Sequence, residues 1–211
     1  MQLGENPWFL IGLTFLELLF ILIPAFISSR IEKIPFKNAI NQMGFEKNTN
    51  IFLKILFGMC FGIIFFFLSI FLSFFFEELL IGSLFGNDFV ELAREGAINT
   101  TILQPNLLQL TILVLLQINI VAPCEEAFFR SFIIKKINTK LKITYSIVIS
   151  SIIFSIYHIP PFLVPVPTFI TFFGYYFIFG ILLSLIFIYF KYSIIPCSIA
   201  HSFFNILIII I

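Results

Sequence analysis

The apolar segment 107–134 reads LLQLTILVLLQINIVAPCEEAFFRSFII, in which the charged side chains are Glu125, Glu126 and Arg130. About 20 consecutive apolar residues are enough for a helix to span a bilayer. A charged side chain near the bilayer centre costs at least about 2.5–3.5 kcal/mol on insertion scales. The segment is therefore predicted to be a membrane helix whose charged residues are kept for a functional reason.

The composition of the chain is that of a membrane protein. Of its 211 residues, 60% are hydrophobic and 11% are charged, and the mean hydropathy is +1.12. An ordinary soluble domain carries about 25% charged residues, so a soluble monomer is excluded. The net charge of +1 and the lack of a basic domain predict no nucleic-acid partner. Cysteine spacing gives neither a metal-ligand pattern nor a disulfide framework.

Apolar segments of spanning length recur along the chain. They fall near 7–27, 53–76, 107–134, 143–159, 168–190 and 194–211. The predicted fold is all-α: a polytopic integral membrane protein of about six transmembrane helices, with the site formed between helices and a single domain over 1–211. A short amphipathic helix is predicted from Asn87 to Gly96, with Asn87 as its N-cap.

Loop charge predicts an orientation. The first, third and fifth connections carry the lysines and arginines of the loops, whereas the second carries Arg94 alone. By the positive-inside rule the basic connections are cytoplasmic. The chain is therefore expected to cross the cell membrane several times with both termini outside.

Helical geometry separates the two adjacent glutamates of the third segment. Glu126 and Arg130 are spaced i, i+4 with the acid first, the better orientation for an ion pair. Glu125 points about 100° away from Glu126 and is left to face another element. Pro123 frees the carbonyl of Asn119, and a kink there would make room for water beside Glu125.

Two further polar islands lie on later apolar segments. His158 precedes Pro160 on the fourth segment, and His201 and Asn205 are i, i+4 neighbours on the sixth. Helical rise from the basic connections predicts depths of about 28 Å for His158 and about 15 Å for His201, a mismatch that tilt would have to remove.

A carboxylate, two imidazoles and an amide suit one kind of chemistry in particular. A carboxylate acts as a general base on water, and His and Asn side chains donate hydrogen bonds to a developing oxyanion. Other interpretations of these residues remain open. A Glu–Arg pair can lock helices together and a His–Asn pair can bridge helices, which are structural roles. Glu125 with His158 could instead relay protons.

The three islands resemble the motifs of a known family. Glu-Glu-x-x-x-Arg at 125–130, Phe-x-x-x-His at 154–158 and His-x-x-x-Asn at 201–205 are similar, in order and type, to those of the CPBP family. That family comprises CAAX prenyl endopeptidases and bacteriocin-processing or self-immunity proteins, also called Abi proteins. The resemblance runs from about residue 107 to the C-terminus, so 107–211 is expected to be a CPBP-like catalytic core.

The resemblance implies an intramembrane endopeptidase that cleaves a membrane-associated peptide or protein. By analogy, Glu125 assisted by His158 would activate the attacking water, and His201 and Asn205 would hold the oxyanion. Glu126 and Arg130 would shape the site. The chain is shorter than the eukaryotic-type CAAX endopeptidases, which favours a bacterial or archaeal substrate over a prenylated one. The alternatives are a non-catalytic membrane immunity or interaction protein and a small transporter.

The resemblance leaves the cofactor open. Glu125, His158 and His201 could supply a zinc-like ligand set, but the sequence has no His-Glu-x-x-His motif. No cofactor is therefore assigned, and a divalent metal such as Zn is kept as an option. The expected partners are a membrane-associated substrate and membrane lipid, and the oligomeric state is left open.

Overall fold

The computed structural model describes residues 5–45, 50–99 and 105–211, and over these ranges the chain is helical without a β-strand. This confirms the predicted all-α fold of a polytopic membrane protein. In chain order the helices are α1 (Pro7–Glu32), α2 (Phe36–Ile40), α3 (Ile51–Phe85), α4 (Asn87–Glu95), α5 (Leu107–Asn138), α6 (Ile143–His158), α7 (Val166–Tyr189) and α8 (Ile194–Ile210).

The apolar helices differ in length. Helices α1, α3, α5 and α7 have 26, 35, 32 and 24 residues and are long and apolar enough to cross a membrane. Helices α6 and α8 have 16 and 17 residues, or about 24–26 Å at the α-helical rise. Two prolines follow α6 closely at Pro160 and Pro161, and proline cannot continue a helix without losing a backbone hydrogen bond. Parts of the first two connections lie outside the described residues.

One end of the bundle gathers the basic connections. Lys136 at the end of α5 forms an ion pair with Glu32 at the end of α1. Lys135 Nζ donates to the backbone oxygen of Gln42, 2.9 Å away. Gly44 has a φ of +99°, and a Cβ there would stand 2.7 Å from the Ile194 side chain at the start of α8. The first, third and fifth connections therefore meet at the same end.

The opposite end is covered by α4. Thr168 Oγ1 of α7 donates to the backbone oxygen of Ala93, 2.9 Å away. The predicted amphipathic helix is confirmed, but the prediction that Asn87 is its N-cap is wrong. The left-handed Gly86 (φ +86°) ends α3, and Asn87 already lies in the first turn of α4.

Helix α3 runs past its predicted end at residue 76 to Phe85, and the two glutamates in this extension are paired with α4. Arg94 of α4 lies between the two carboxylates. Its Nε is 2.7 Å from Glu77 Oε2, and its Nη2 is 2.7 Å from Glu78 Oε1. These hydrogen bonds, that to Glu77 first, raise the pKa of Arg94 above its ordinary value. The two charged residues thus lie within the helix, where their carboxylates have a partner on α4.

Two glycines on one face of α3 bring α8 close. A Cβ at Gly58 would stand 2.9 Å from the backbone oxygen of Pro196, and a Cβ at Gly62 would stand 3.0 Å from that of Ala200. Small residues four apart let membrane helices approach at backbone distance. This contact fixes the position of α8, which carries His201 and Asn205.

Candidate active site

The three islands of the sequence meet between α5, α6 and α8. Glu125, His158 and His201 each offer a donor atom, and these atoms lie within 4.8 Å of one another. Glu125 Oε2 is 3.8 Å from His158 Nε2 and 4.0 Å from His201 Nε2. The depth mismatch estimated from helical rise is therefore not present, so α6 and α8 must begin at different levels or tilt differently.

Irregular turns of α5 flank Glu125. The helix has π-helical turns at Gln117–Val121 and Ala127–Ile134, with the short α-helical stretch Ala122–Glu126 between them. Pro123 has no N–H to donate, so the regular backbone ladder is interrupted at this point. Single π turns occur often at functional sites because the wider turn redirects the side chains that follow.

Behind the cluster lies a buried ionic chain. Arg130 Nε is 3.0 Å from Glu126 Oε2, as the i, i+4 spacing predicts, and both side chains are 0% exposed. The other oxygen of Glu126 accepts a hydrogen bond from His201 Nδ1 at 2.9 Å. The Arg130 guanidinium also lies 4.3 Å from the centre of the Phe154 ring, within the range of a cation–π contact. These ionic contacts orient the His201 ring with Nε2 toward Glu125.

His158 is oriented by its own helix. Its Nδ1 lies 3.0 Å from the backbone oxygen of Phe154, one turn earlier, and donates its proton there. The His158 ring is packed by Phe154 at a centroid distance of 4.2 Å and by Tyr176 at 4.8 Å. Both imidazoles therefore use Nδ1 for support and present Nε2 to the same carboxylate oxygen.

That carboxylate oxygen has no direct partner. Glu125 Oε2 is buried and accepts no hydrogen bond from the described residues, and its distances of 3.8 and 4.0 Å to the imidazoles are too long for hydrogen bonds. A buried carboxylate oxygen without a partner is costly. The spacing suits a small bridging group, such as one water molecule.

The same three residues fit a metal ion. Carboxylate oxygen and imidazole nitrogen are accepted zinc ligands, and bonds of about 2.0–2.2 Å place tetrahedral ligands about 3.4 Å apart. The observed 3.8 and 4.0 Å need only small shifts of the side chains. In metal sites the second ring nitrogen of a histidine is usually held by an acceptor, as both Nδ1 atoms are here.

Asn205 lies on the same cavity but uses its amide elsewhere. A cavity of about 780 Å³ is lined by Glu125, His158, His201 and Asn205 among other residues. Asn205 Nδ2 donates to Gln117 Oε1, 3.1 Å away. The backbone oxygen of Gln117 accepts the Ser202 hydroxyl at 3.0 Å. Gln117 therefore positions the face of α8 that carries Asn205.

Sequence reasoning missed one carboxylate of this cavity. Glu17 of α1 lines it, and its Oε1 accepts the Tyr157 hydroxyl at 2.6 Å. The signal was available, because Glu17 stands ten residues into α1, about 15 Å along the helix, where a charge is as costly as at Glu125. Its partner lies 140 positions away in the chain and could not be identified from local spacing.

Comparison with known proteins adds one finding. The family model for type II CAAX prenyl endopeptidase Rce1-like proteins matches residues 107–207. The matched range contains all the polar residues of the three motifs, namely Glu125, Glu126, Arg130, His158, His201 and Asn205. No curated protein and no solved structure matches the chain.

Proposed function

Because this chain belongs to the CPBP family of membrane endopeptidases through its Rce1-like part, residues 107–207, we propose that it hydrolyses a peptide bond of a membrane-associated peptide or protein. The catalytic core is assigned to 107–211 within one integral-membrane domain, 1–211. One observation carries the proposal: Glu125 Oε2 is buried, unpartnered among the described residues and faced by Nε2 of two histidines.

In the proposed first step, a water molecule between Glu125 Oε2 and His158 Nε2 attacks the carbonyl carbon of the scissile bond. Glu125 accepts one proton of this water as the new C–O bond forms, which is general-base catalysis. The carbonyl π electrons move to oxygen and give a tetrahedral oxyanion.

The oxyanion is stabilised by donors from α8. His201 donates from Nε2 in its doubly protonated form, while Nδ1 stays on Glu126, and Asn205 Nδ2 donates its second hydrogen while the first stays on Gln117 Oε1. Fixed donors in a water-poor site stabilise developing negative charge strongly. Collapse of the intermediate breaks the C–N bond, and the proton held by Glu125 passes to the leaving amine.

A divalent metal such as Zn would be held by Glu125, His158 and His201, whose donor atoms lie close enough to bind an ion. When bound, such a metal would polarise the attacking water and the substrate carbonyl as a Lewis acid. Glu126, Arg130 and the backbone oxygen of Phe154 keep the same task in either case, because they orient the imidazoles.

The experiment is a cleavage assay on protein reconstituted in nanodiscs. Membrane-anchored test peptides, with and without a prenylated CAAX end, are incubated with it, and fragments are identified by mass spectrometry. Glu125→Gln should lower the rate by about 10²–10⁴-fold, the usual contribution of a general base. Glu91→Gln, the same change on the exposed face of α4, is the matched control.

A folded Glu125→Gln variant that cleaves at the wild-type rate would refute the proposal. It would favour a non-catalytic membrane protein that holds a peptide without cutting it. The predicted orientation, with the basic connections in the cytoplasm and both termini outside, has its own test. A cysteine that replaces Lys136 should be protected from an impermeant thiol reagent added outside intact cells.

A further inference from the structure

Glu17 is the carboxylate of the cavity to which the proposed reaction gives no task. It lies on a 3₁₀ turn, Phe15–Leu18, within α1. Its Oε1 accepts the Tyr157 hydroxyl at 2.6 Å, whereas its Oε2 is buried and accepts no hydrogen bond from the described part of the chain. One half of this carboxylate is thus held in place while the other half has no partner.

The charges around the cavity are unbalanced. Glu17 and Glu125 both line it, and the cation that the proposed reaction sets against these two carboxylates is the doubly protonated His201, because no lysine or arginine lines the cavity among the described residues. The buried guanidinium of Arg130 is paired with Glu126 behind the cavity wall. Buried charges are normally paired or bound to a metal, so the cavity as a whole favours a positively charged occupant.

Glu17 is not a member of the candidate metal cluster. That cluster consists of Glu125, His158 and His201 within the described residues. A cation at Glu17 would therefore be a second group in the cavity, beside the place where the peptide bond is proposed to react. The apolar residues that line the cavity on α1, such as Leu13 and Leu16, suit the aliphatic stem of a long basic side chain.

We propose that Glu17 binds a cationic group of the substrate, the ammonium of a lysine or the guanidinium of an arginine. This assignment rests on the proposed function, because it makes Glu17 a specificity residue of that same site. Tyr157 acts as a positioning residue, since its hydroxyl fixes Oε1 and directs Oε2 to the ligand. The preferred substrate would then be an apolar membrane peptide with a basic residue near the cleaved bond.

The test separates binding from cleavage. Two fluorescent Leu/Ala peptides with blocked ends, one with a central lysine and one with glutamine instead, are titrated against nanodisc-embedded protein that carries Glu125→Gln. The lysine peptide should bind about tenfold more tightly, a difference of about 1.4 kcal/mol. Adding Glu17→Gln should abolish this preference, whereas adding Glu91→Gln should leave it intact.

Two further variants guard against misfolding. Glu17→Asp keeps the charge and should keep the preference for the lysine peptide, and Glu17→Lys should reverse it in favour of a matched glutamate peptide. Three results would overturn the inference: equal affinities for the two peptides, no measurable binding of either peptide, or a preference for the lysine peptide that survives Glu17→Gln.

Cleavage by the chain with Glu125 intact is measured with the same peptides. Preferential binding without cleavage would reject the endopeptidase and leave the cation site standing. Cleavage that ignores the peptide charge would reject the cation site and leave the endopeptidase standing.

Discussion

Replacement of Arg130 by methionine is the most direct test of the buried ionic chain. Arg130 and Glu126 are both 0% exposed, their Nε and Oε2 atoms lie 3.0 Å apart, and the guanidinium lies 4.3 Å from the Phe154 ring centre. Arg130→Met keeps most of the side-chain volume and leaves the Glu126 carboxylate buried with His201 as its remaining partner. Breaking a buried ion pair by removing one partner costs about 3–5 kcal/mol.

The expected loss is large enough to measure by heating. For a chain of about 150–250 residues, each kcal/mol shifts the unfolding midpoint by about 2–4 °C, so Arg130→Met should unfold about 6–20 °C below the wild type. The assay is thermal unfolding of purified protein in detergent, followed by circular dichroism. The double variant Arg130→Met, Glu126→Gln removes both charges and should recover much of the loss.

Two results would refute this reasoning. One is a single variant as stable as the wild type, which would mean that Glu126 does not need the guanidinium. The other is a double variant no more stable than the single one, which would assign the loss to the Phe154 contact instead of the charge. Arg30→Met, at the exposed end of α1, controls for the removal of a guanidinium as such.

Three shorter predictions follow from other contacts. Gly62→Leu should destabilise the protein by at least about 1–3 kcal/mol through overpacking, because a Cβ at this position already meets Ala200. The control is Gly12→Leu, which has open space around its Cβ and should be tolerated in the same unfolding assay. Added Zn²⁺ should raise the unfolding temperature of the wild type by ligand linkage and not that of His158→Ala, and an equal rise in both would contradict the proposed ligand set. Gln117→Ala should lower kcat about two- to tenfold with KM unchanged, the worth of one ordinary hydrogen bond, and an unchanged kcat would show that Asn205 needs no support.

The sequence predicted those features that follow from local periodicity. Segment length and hydropathy predicted the apolar helices, and the i, i+4 spacing predicted the contact between Glu126 and Arg130, because both depend on helical geometry alone. The C-terminal end of α3 was less predictable, since the partner of Glu77 is Arg94 on another element.

Features that depend on contacts between distant helices could not be obtained in this way. Helical rise alone gave His158 and His201 different depths, because it ignores where each helix begins and how it tilts. Glu17 was missed since its partner Tyr157 lies on α6. The role of Gly58 and Gly62 likewise becomes visible only when α8 lies against them.

The contact of these two glycines with α8 has a consequence for any attempt to shorten the protein. Residues 107–211 hold the side chains proposed to be catalytic, yet α8, which carries His201, packs against α3, and Glu17 lines the cavity from α1. In a fragment limited to the family-matched half, the surface of α8 that packs on α3 would be exposed to lipid or to a second copy of the fragment. We therefore expect the N-terminal half to act as a scaffold for the proposed catalytic core, and expression trials should retain it.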